Sequence, residues 1–161
     1  MRVTVTIFSL MLAAAAMAQQ ASAPAMKEYA SSSEVASMLA KAKSIRKQDQ
    51  PVVSQRIIGL APYSANLEYR PAVGPATVHE KEAEIFYVVD GSATLVTGGK
   101  LVNEKRTNAE NLAGTAIEGG STRKVAKGDF FVVPENTPHW FSPIDGELVL
   151  MSLHVPHPVA H

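Results

Sequence analysis

From Val52 to its end the chain is a succession of short apolar, β-branched and aromatic runs, nearly every one closed by Gly, Pro, Asn or Asp. The runs "VVSQRIIGL", "ANLEYRP", "EIFYVVDG", "SATLVTGG", "TAIEGG", "RKVAKGD", "FFVVPENTP", "HWFSP" and "ELVLMSLHVP" contain no helical periodicity of useful length. Such punctuation stops helices from propagating, so backbone hydrogen bonds must be made between strands. Many short strands at close spacing in one domain predict an all-β sandwich or barrel. Residues 100–115 are more polar and read as a loop inserted between two strands. Gly98-Gly99 and Gly119-Gly120 are turn chemistry, because neither pair precedes a helix that could cradle a phosphate.

The first half-hundred residues are different. Arg2 is followed by the apolar run "VTVTIFSLMLAAAAMA" and then by the small-residue pattern "AMA" at 16–18. A positive start, a short apolar stretch and small residues before the cut make residues 1–18 a secretory signal peptide, with a second site at "ASA", 21–23. The run is short for a membrane span and lacks a charged flank to stop transfer. Residues 19–50 divide into a small, polar leader and one amphipathic helix. Ser31 stands three residues before Glu34 in capping-box spacing. Val35, Met38, Leu39, Ala42 and Ile45 then recur at helical intervals, so the helix is expected at about 33–46, ended ahead of Pro51. The barrel domain occupies 51–161.

The full chain has 161 residues, with 15 Lys and Arg against 15 Asp and Glu. Loss of Arg2 with the leader leaves 14 basic against 15 acidic groups. So balanced a surface gives no electrostatic reason to expect nucleic acid or an anionic membrane as partner. There is no cysteine. An exported chain of this kind has no disulfide, no thiol nucleophile and no thiolate ligand, so any metal is held by nitrogen and oxygen.

Two stretches carry candidate chemistry. In "VHEKEAEIFYVVDG" His79 sits in a polar turn, Glu84 opens an apolar run and Asp90-Gly91 closes it. In "GDFFVVPENTPHWF" a Gly-Asp turn leads through an apolar strand and a Pro-rich turn to His139, which opens the next strand. Side chains alternate across a strand, so Glu84, Phe86 and Val88 share one face, and Trp140 faces away from His139 while Phe141 returns to its side. His79, Glu84 and His139 therefore each sit at a strand edge beside a turn, where a barrel would have its mouth. By residues alone two readings stand: Glu84 as an exposed carboxylate at a strand start with His139 hydrogen-bonded in its turn, or all three on one metal ion. The cluster Glu80-Lys81-Glu82 reads as a solvated hairpin tip. His154, unusual in an apolar run, is either a further ligand or proton shuttle inside the barrel, or a satisfied or edge-exposed histidine. His157 and His161 lie in the tail with no assigned role.

The two stretches together resemble the cupin superfamily. Glu84-x6-Gly91 and His79-x4-Glu84 match the second half of its first motif, and Gly128-x5-Pro134-x-Asn136-x2-His139 matches its second, with Asn136 in a glycine place. Asn tolerates a left-handed backbone better than most residues. The resemblance covers roughly residues 70–155 and is similar in style to small, exported, single-domain bacterial cupins. Departures are Thr77 in the place of the first motif histidine and Pro143 in that of the final asparagine. The resemblance implies a double-stranded β-helix, or jelly-roll, barrel carrying one N-terminal helix. It also implies one divalent metal (Fe, Mn, Ni or Zn) on His79, Glu84 and His139, in a mostly apolar pocket lined by Thr77, Phe86, Val88 and Phe141.

Such a site would bind a small organic molecule, either as a metal-dependent isomerase, lyase or dioxygenase or as a non-catalytic binding or sensing module. Periplasmic or secreted location follows from the leader. A homodimer is expected, because open barrel edges need cover and "VVSQRIIGL" with the preceding helix is the candidate surface. The leader reading predicts a mature chain starting at Gln19 or a few residues later. Intact-mass measurement of exported protein checks it, and recovery of a Met1 start only from membranes would refute it.

Overall fold

The computed structural model describes residues 26–157; the expected signal peptide and His161 lie outside that range. The first helix, α1, spans Ser32–Ile45. Ser31 caps it with extended backbone, its hydroxyl accepting from the Glu34 amide at 3.2 Å. This satisfies one of the amide groups that a helix start leaves unpaired. Glu34 in the first turn and Lys43 in the last complement the helix dipole. Ala42 is wholly buried, and Val35, Met38 and Leu39 pack onto the same apolar layer. Lys43 then ties the helix to the barrel through Glu147, whose other oxygen accepts from the Tyr69 hydroxyl.

Eleven strands follow among the described residues: β1 (Val53–Leu60), β2 (Tyr63–Arg70), β3 (Ala76–His79), β4 (Glu82–Thr97), β5 (Lys100–Val102), β6 (Lys105–Arg106), β7 (Asn111–Gly114), β8 (Ala116–Glu118), β9 (Ser121–Ala126), β10 (Phe130–Val133) and β11 (His139–Pro156). Two of them are long enough to serve both walls of the barrel. The later half of β11 pairs with β2 and with the first half of β4, which also pairs with β10. The opposite halves of β4 and β11 pair with each other, β4 adds β9, and β11 meets β3, which continues to β7 and β6. The jelly-roll barrel with one helix ahead of it is the architecture expected from the sequence.

Two local expectations are corrected. Asp90-Gly91 does not end its strand. Gly91 has φ +81° and pairs with Leu148, and a Cβ there would lie 2.0 Å from the Glu147 carbonyl oxygen. Only glycine permits that close approach, so the chain bends without breaking its ladder, and one strand joins both walls. Residues 100–115 are not one loop. They contribute β5, β6 and β7: β6 pairs with β7 inside the segment, β5 pairs with β8, and β7 pairs with β3 far back in the chain, in strands too short to leave a periodicity to read.

The interior is filled by Phe86, Val88, Leu95, Val125, Val133, Phe141, Leu148 and Leu150, all buried. A second layer between α1 and the outer wall contains Val53, Ile57, Leu67, Tyr69 and Val149. Burying each such aliphatic or aromatic side chain stabilises the fold by about 1.5–3 kcal/mol, so packing is ample without any disulfide. No helix among the described residues is long and apolar enough to cross a membrane.

Candidate metal centre

Glu84 lies on β4 between two neighbours, opposite Val133 of β10 and opposite His154 of β11. Its side chain points inward and the residue is only 3% exposed. A lone carboxylate so placed would be costly, since burial disfavours the charge. Here three imidazoles surround it. His79 Nε2 and His139 Nε2 each lie 3.3 Å from Glu84 Oε2, and His154 Nε2 lies 3.3 Å from Oε1. The ligand atoms of His79, Glu84 and His154 all fall within 4.8 Å of one another.

The structure thus gathers His79 and His139 around the Glu84 carboxylate and adds His154. His139 stands slightly apart from the compact trio for a visible reason. Thr77 pairs with it across β3 and β11, and the Thr77 hydroxyl is 3.0 Å from its Nε2. That contact uses the same nitrogen that faces Glu84. His154 reaches the centre because its register places it opposite Glu84, which no spacing along the chain shows.

Each ring is held from behind. His79 Nδ1 donates to Asn111 Oδ1 at 2.9 Å, His154 Nδ1 to Glu82 Oε1 at 2.7 Å, and His139 Nδ1 to the Thr137 carbonyl at 3.3 Å. In the neutral ring a proton on Nδ1 leaves the lone pair on Nε2. The Nε2 lone pairs are then free for an ion, while in the metal-free site a protonated ring donates Nε2–H to Glu84 instead. Nitrogen and oxygen donors converging with their far sides anchored to acceptors form a set that fits a divalent first-row ion.

Several expectations need revision here. Phe86 and Val88 are fully buried and Phe141 is 1% exposed, so they are packed core and do not line an open pocket. Phe86 instead supports the site from beneath, its ring 5.9 Å from that of His139. Access to the centre is from the half-buried His79 and His154 side. Glu82 is not merely part of a solvated tip, because it turns inward on the same face as Glu84. The alternation of Glu82 with Glu84 could have shown this; Asn111, in the polar insertion, gave no such signal. Trp140 does face away, donating to the Gly74 carbonyl at 2.8 Å. Asn136 takes φ +54°, the left-handed backbone its place demands. His157 contacts Glu135 at 2.7 Å on the surface. A second buried carboxylate is also satisfied: Glu68 accepts from Ser152 at 2.9 Å and from Arg70 at 2.8 Å.

The electrostatics follow from the geometry. Burial raises the pKa of Glu84, but hydrogen bonds from His139 and His79 and the charges of His139 and His154 outweigh it and hold the carboxyl well below its usual range. For His79 burial lowers the pKa, while the hydrogen bond and charge of Glu84, then Asn111 and Glu82, carry the net shift upward. A depressed carboxyl contributes stability above its unfolded pKa of about 4.3, lost as pH falls through the folded value. A raised imidazole contributes stability fully present below about pH 6.5, lost as pH rises through the folded value. Metal-free protein should therefore lose stability on both sides of a weakly acidic maximum, and Glu84→Gln should flatten the acid limb. Denaturant midpoints between about pH 3 and pH 9 measure this; identical acid limbs in both proteins would contradict it.

The comparisons with known proteins agree with the fold. A family model described as Cupin matches residues 30–158. No curated protein matches the chain. Among solved structures it is similar to KdgF from Halomonas sp., with TM-score 0.50 and 16% identity over 70% of this chain and 86% of that one. It is similar to TT1209 from Thermus thermophilus, with TM-score 0.50 and 15% identity over 74% and 95% of the two chains. A third likeness, to Fe(II) HppE, has TM-score 0.51 and 14% identity over 68% of this chain and 54% of that one. Identities this low show the shared fold alone. With the family match spanning the helix and the whole barrel, the chain belongs to the cupin family.

Proposed function

We propose that this protein is an exported, divalent-metal-dependent enzyme acting on a small organic molecule. The observation that carries the proposal is the convergence of three imidazole Nε2 atoms on the buried carboxylate of Glu84. His79, Glu84 and His154 would hold the ion, with His139 joining once Thr77 releases its nitrogen. A divalent ion in such a site polarises a carbonyl or enolate oxygen. The chain's own part is to keep those donors dry on one side. Phe86 and the core beneath exclude water, and the partly exposed edges of His79 and His154 leave the approach for a ligand. An iron form is named for the similar HppE structure. Isomerase, lyase and dioxygenase chemistry all fit an ion with open positions, and the neutral donor-rich set suits Fe, Mn, Ni or Zn.

The ligand assignment makes a direct prediction. Tag-free protein should carry close to one divalent ion per chain by elemental analysis. Glu84→Ala, His79→Ala, His139→Ala and His154→Ala should each weaken metal binding by at least about ten-fold. The barrel should stay folded, because its core is apolar. The metal-loaded wild type should melt higher than the metal-free form, since an ion bound only by the native state stabilises it by mass action. Unchanged metal content in all four variants would remove the metal reading and leave a non-catalytic small-molecule module.

We also propose that the chain pairs with a second copy through its outer wall. Phe130, Val132 and Tyr87 are 72%, 57% and 43% exposed, beside an apolar groove of about 270 Å³ that reaches Ile58 and Met151. Among the described residues the outer edge of β1 meets one isolated bridge, between Lys27 and Gly59. We expect a homodimer in sedimentation velocity at micromolar concentration, shifted toward monomer by Phe130→Asp. A wild-type monomer under those conditions would end this proposal.

A further inference from the structure

Two residues outside the donor set take hold of it from behind. Glu82 Oε1 accepts from His154 Nδ1 at 2.7 Å and lies 3.6 Å from His79 Nδ1. Asn111 Oδ1 accepts from His79 Nδ1 at 2.9 Å. The two acceptors arrive from different places. Glu82 is on β4, two residues before Glu84 on the same inward face, and Asn111 is the first residue of β7, paired with His79 across β3. Neither carries a signal as a ligand in its own right, and neither oxygen faces the centre of the site.

We propose that Glu82 and Asn111 are positioning residues that set the tautomer and ring orientation of His154 and His79, so that both present Nε2 to a divalent ion. The inference rests on the metal reading above. Its physical basis is the choice open to a neutral imidazole. The proton sits on whichever nitrogen finds the better acceptor, and the lone pair is left on the other. Acceptors at both Nδ1 atoms remove that choice before any ion arrives. They also prevent either ring from rotating its wrong nitrogen into the site. Glu82 supplies an anionic acceptor and the shorter bond, which strengthens the donor more than a neutral amide does. Its charge, 3.6 Å from His79 Nδ1, also favours keeping the proton on that nitrogen, while Asn111 makes the hydrogen bond there. The hairpin between β3 and β4 brings the brace and His79 together, and β11 brings His154.

The test uses cobalt(II) alone as probe, on the full-length protein freed of metal. Affinity is read by competition with a chelator and coordination by the visible spectrum. Glu82→Ala should bind cobalt(II) about 10–100-fold more weakly than wild type, with an altered spectrum. Asn111→Ala should show a smaller loss in the same direction. Glu82→Gln and Asn111→Asp, which keep an acceptor oxygen, should recover most of the affinity. The melting temperature of each metal-free variant separates positioning from support. It should stay near wild type while affinity falls. Wild-type affinity and spectrum in Glu82→Ala would overturn the inference and leave the metal site standing. So would a loss of affinity that follows a fall in metal-free melting temperature and is not recovered by Glu82→Gln. A wild-type protein that takes up no cobalt(II) would overturn the metal reading and this inference with it.

Discussion

The carboxylate of Glu84, buried on a strand flanked on both sides, is the constraint to which the rest of the site answers. A charge at that depth is tolerated only if donors surround it or an ion neutralises it. The barrel supplies three imidazoles from two strands, one from the end of β3 and one from each end of β11. The strand bend at Gly91 makes this arrangement feasible, because the same strand that buries Glu84 in one wall continues into the other. His139 and His154 lie far apart along β11, and the fold brings both back to one point.

The departure from the family pattern acquires a structural meaning. Thr77 stands where a histidine would be expected, and its hydroxyl instead satisfies His139 Nε2 at 3.0 Å. His154 supplies a third imidazole from the opposite wall. The number of nitrogen donors near Glu84 is thus kept at three even though one expected donor is missing. A polar substitution on β3 and an imidazole late in β11 are together consistent with a donor set drawn from different positions than the motif alone implies.

The surroundings separate two kinds of work. Phe86 and Phe141, whose rings lie 5.4 Å apart, belong to the packed interior and give the site a rigid, dry floor. Glu82 and Asn111 occupy the rim, where hydrogen bonds orient the rings while leaving His79 and His154 accessible. Rigid donors on strands hold geometry better than donors on loops, and His79, at the end of β3, and His139, at the start of β11, are the two that border turns.

Much of this was legible in the residues. Turn chemistry between β-branched runs implied the all-β fold, Ser31 and Glu34 marked the helix start, and period-two alternation set Glu84 and Phe86 on one face and Trp140 on the other. These are local properties, decided by neighbours along the chain. What only the tertiary structure decided is register. That His154 lies opposite Glu84, and that the polar insertion docks on β3 with Asn111 beside His79, both depend on pairings between segments far apart in sequence. A one-residue slip would turn each of those side chains to the other face. Packing decided the remaining point: Phe86, Val88 and Phe141 face inward as alternation requires, but the interior closes over them and makes core of what one strand alone presents as a pocket wall.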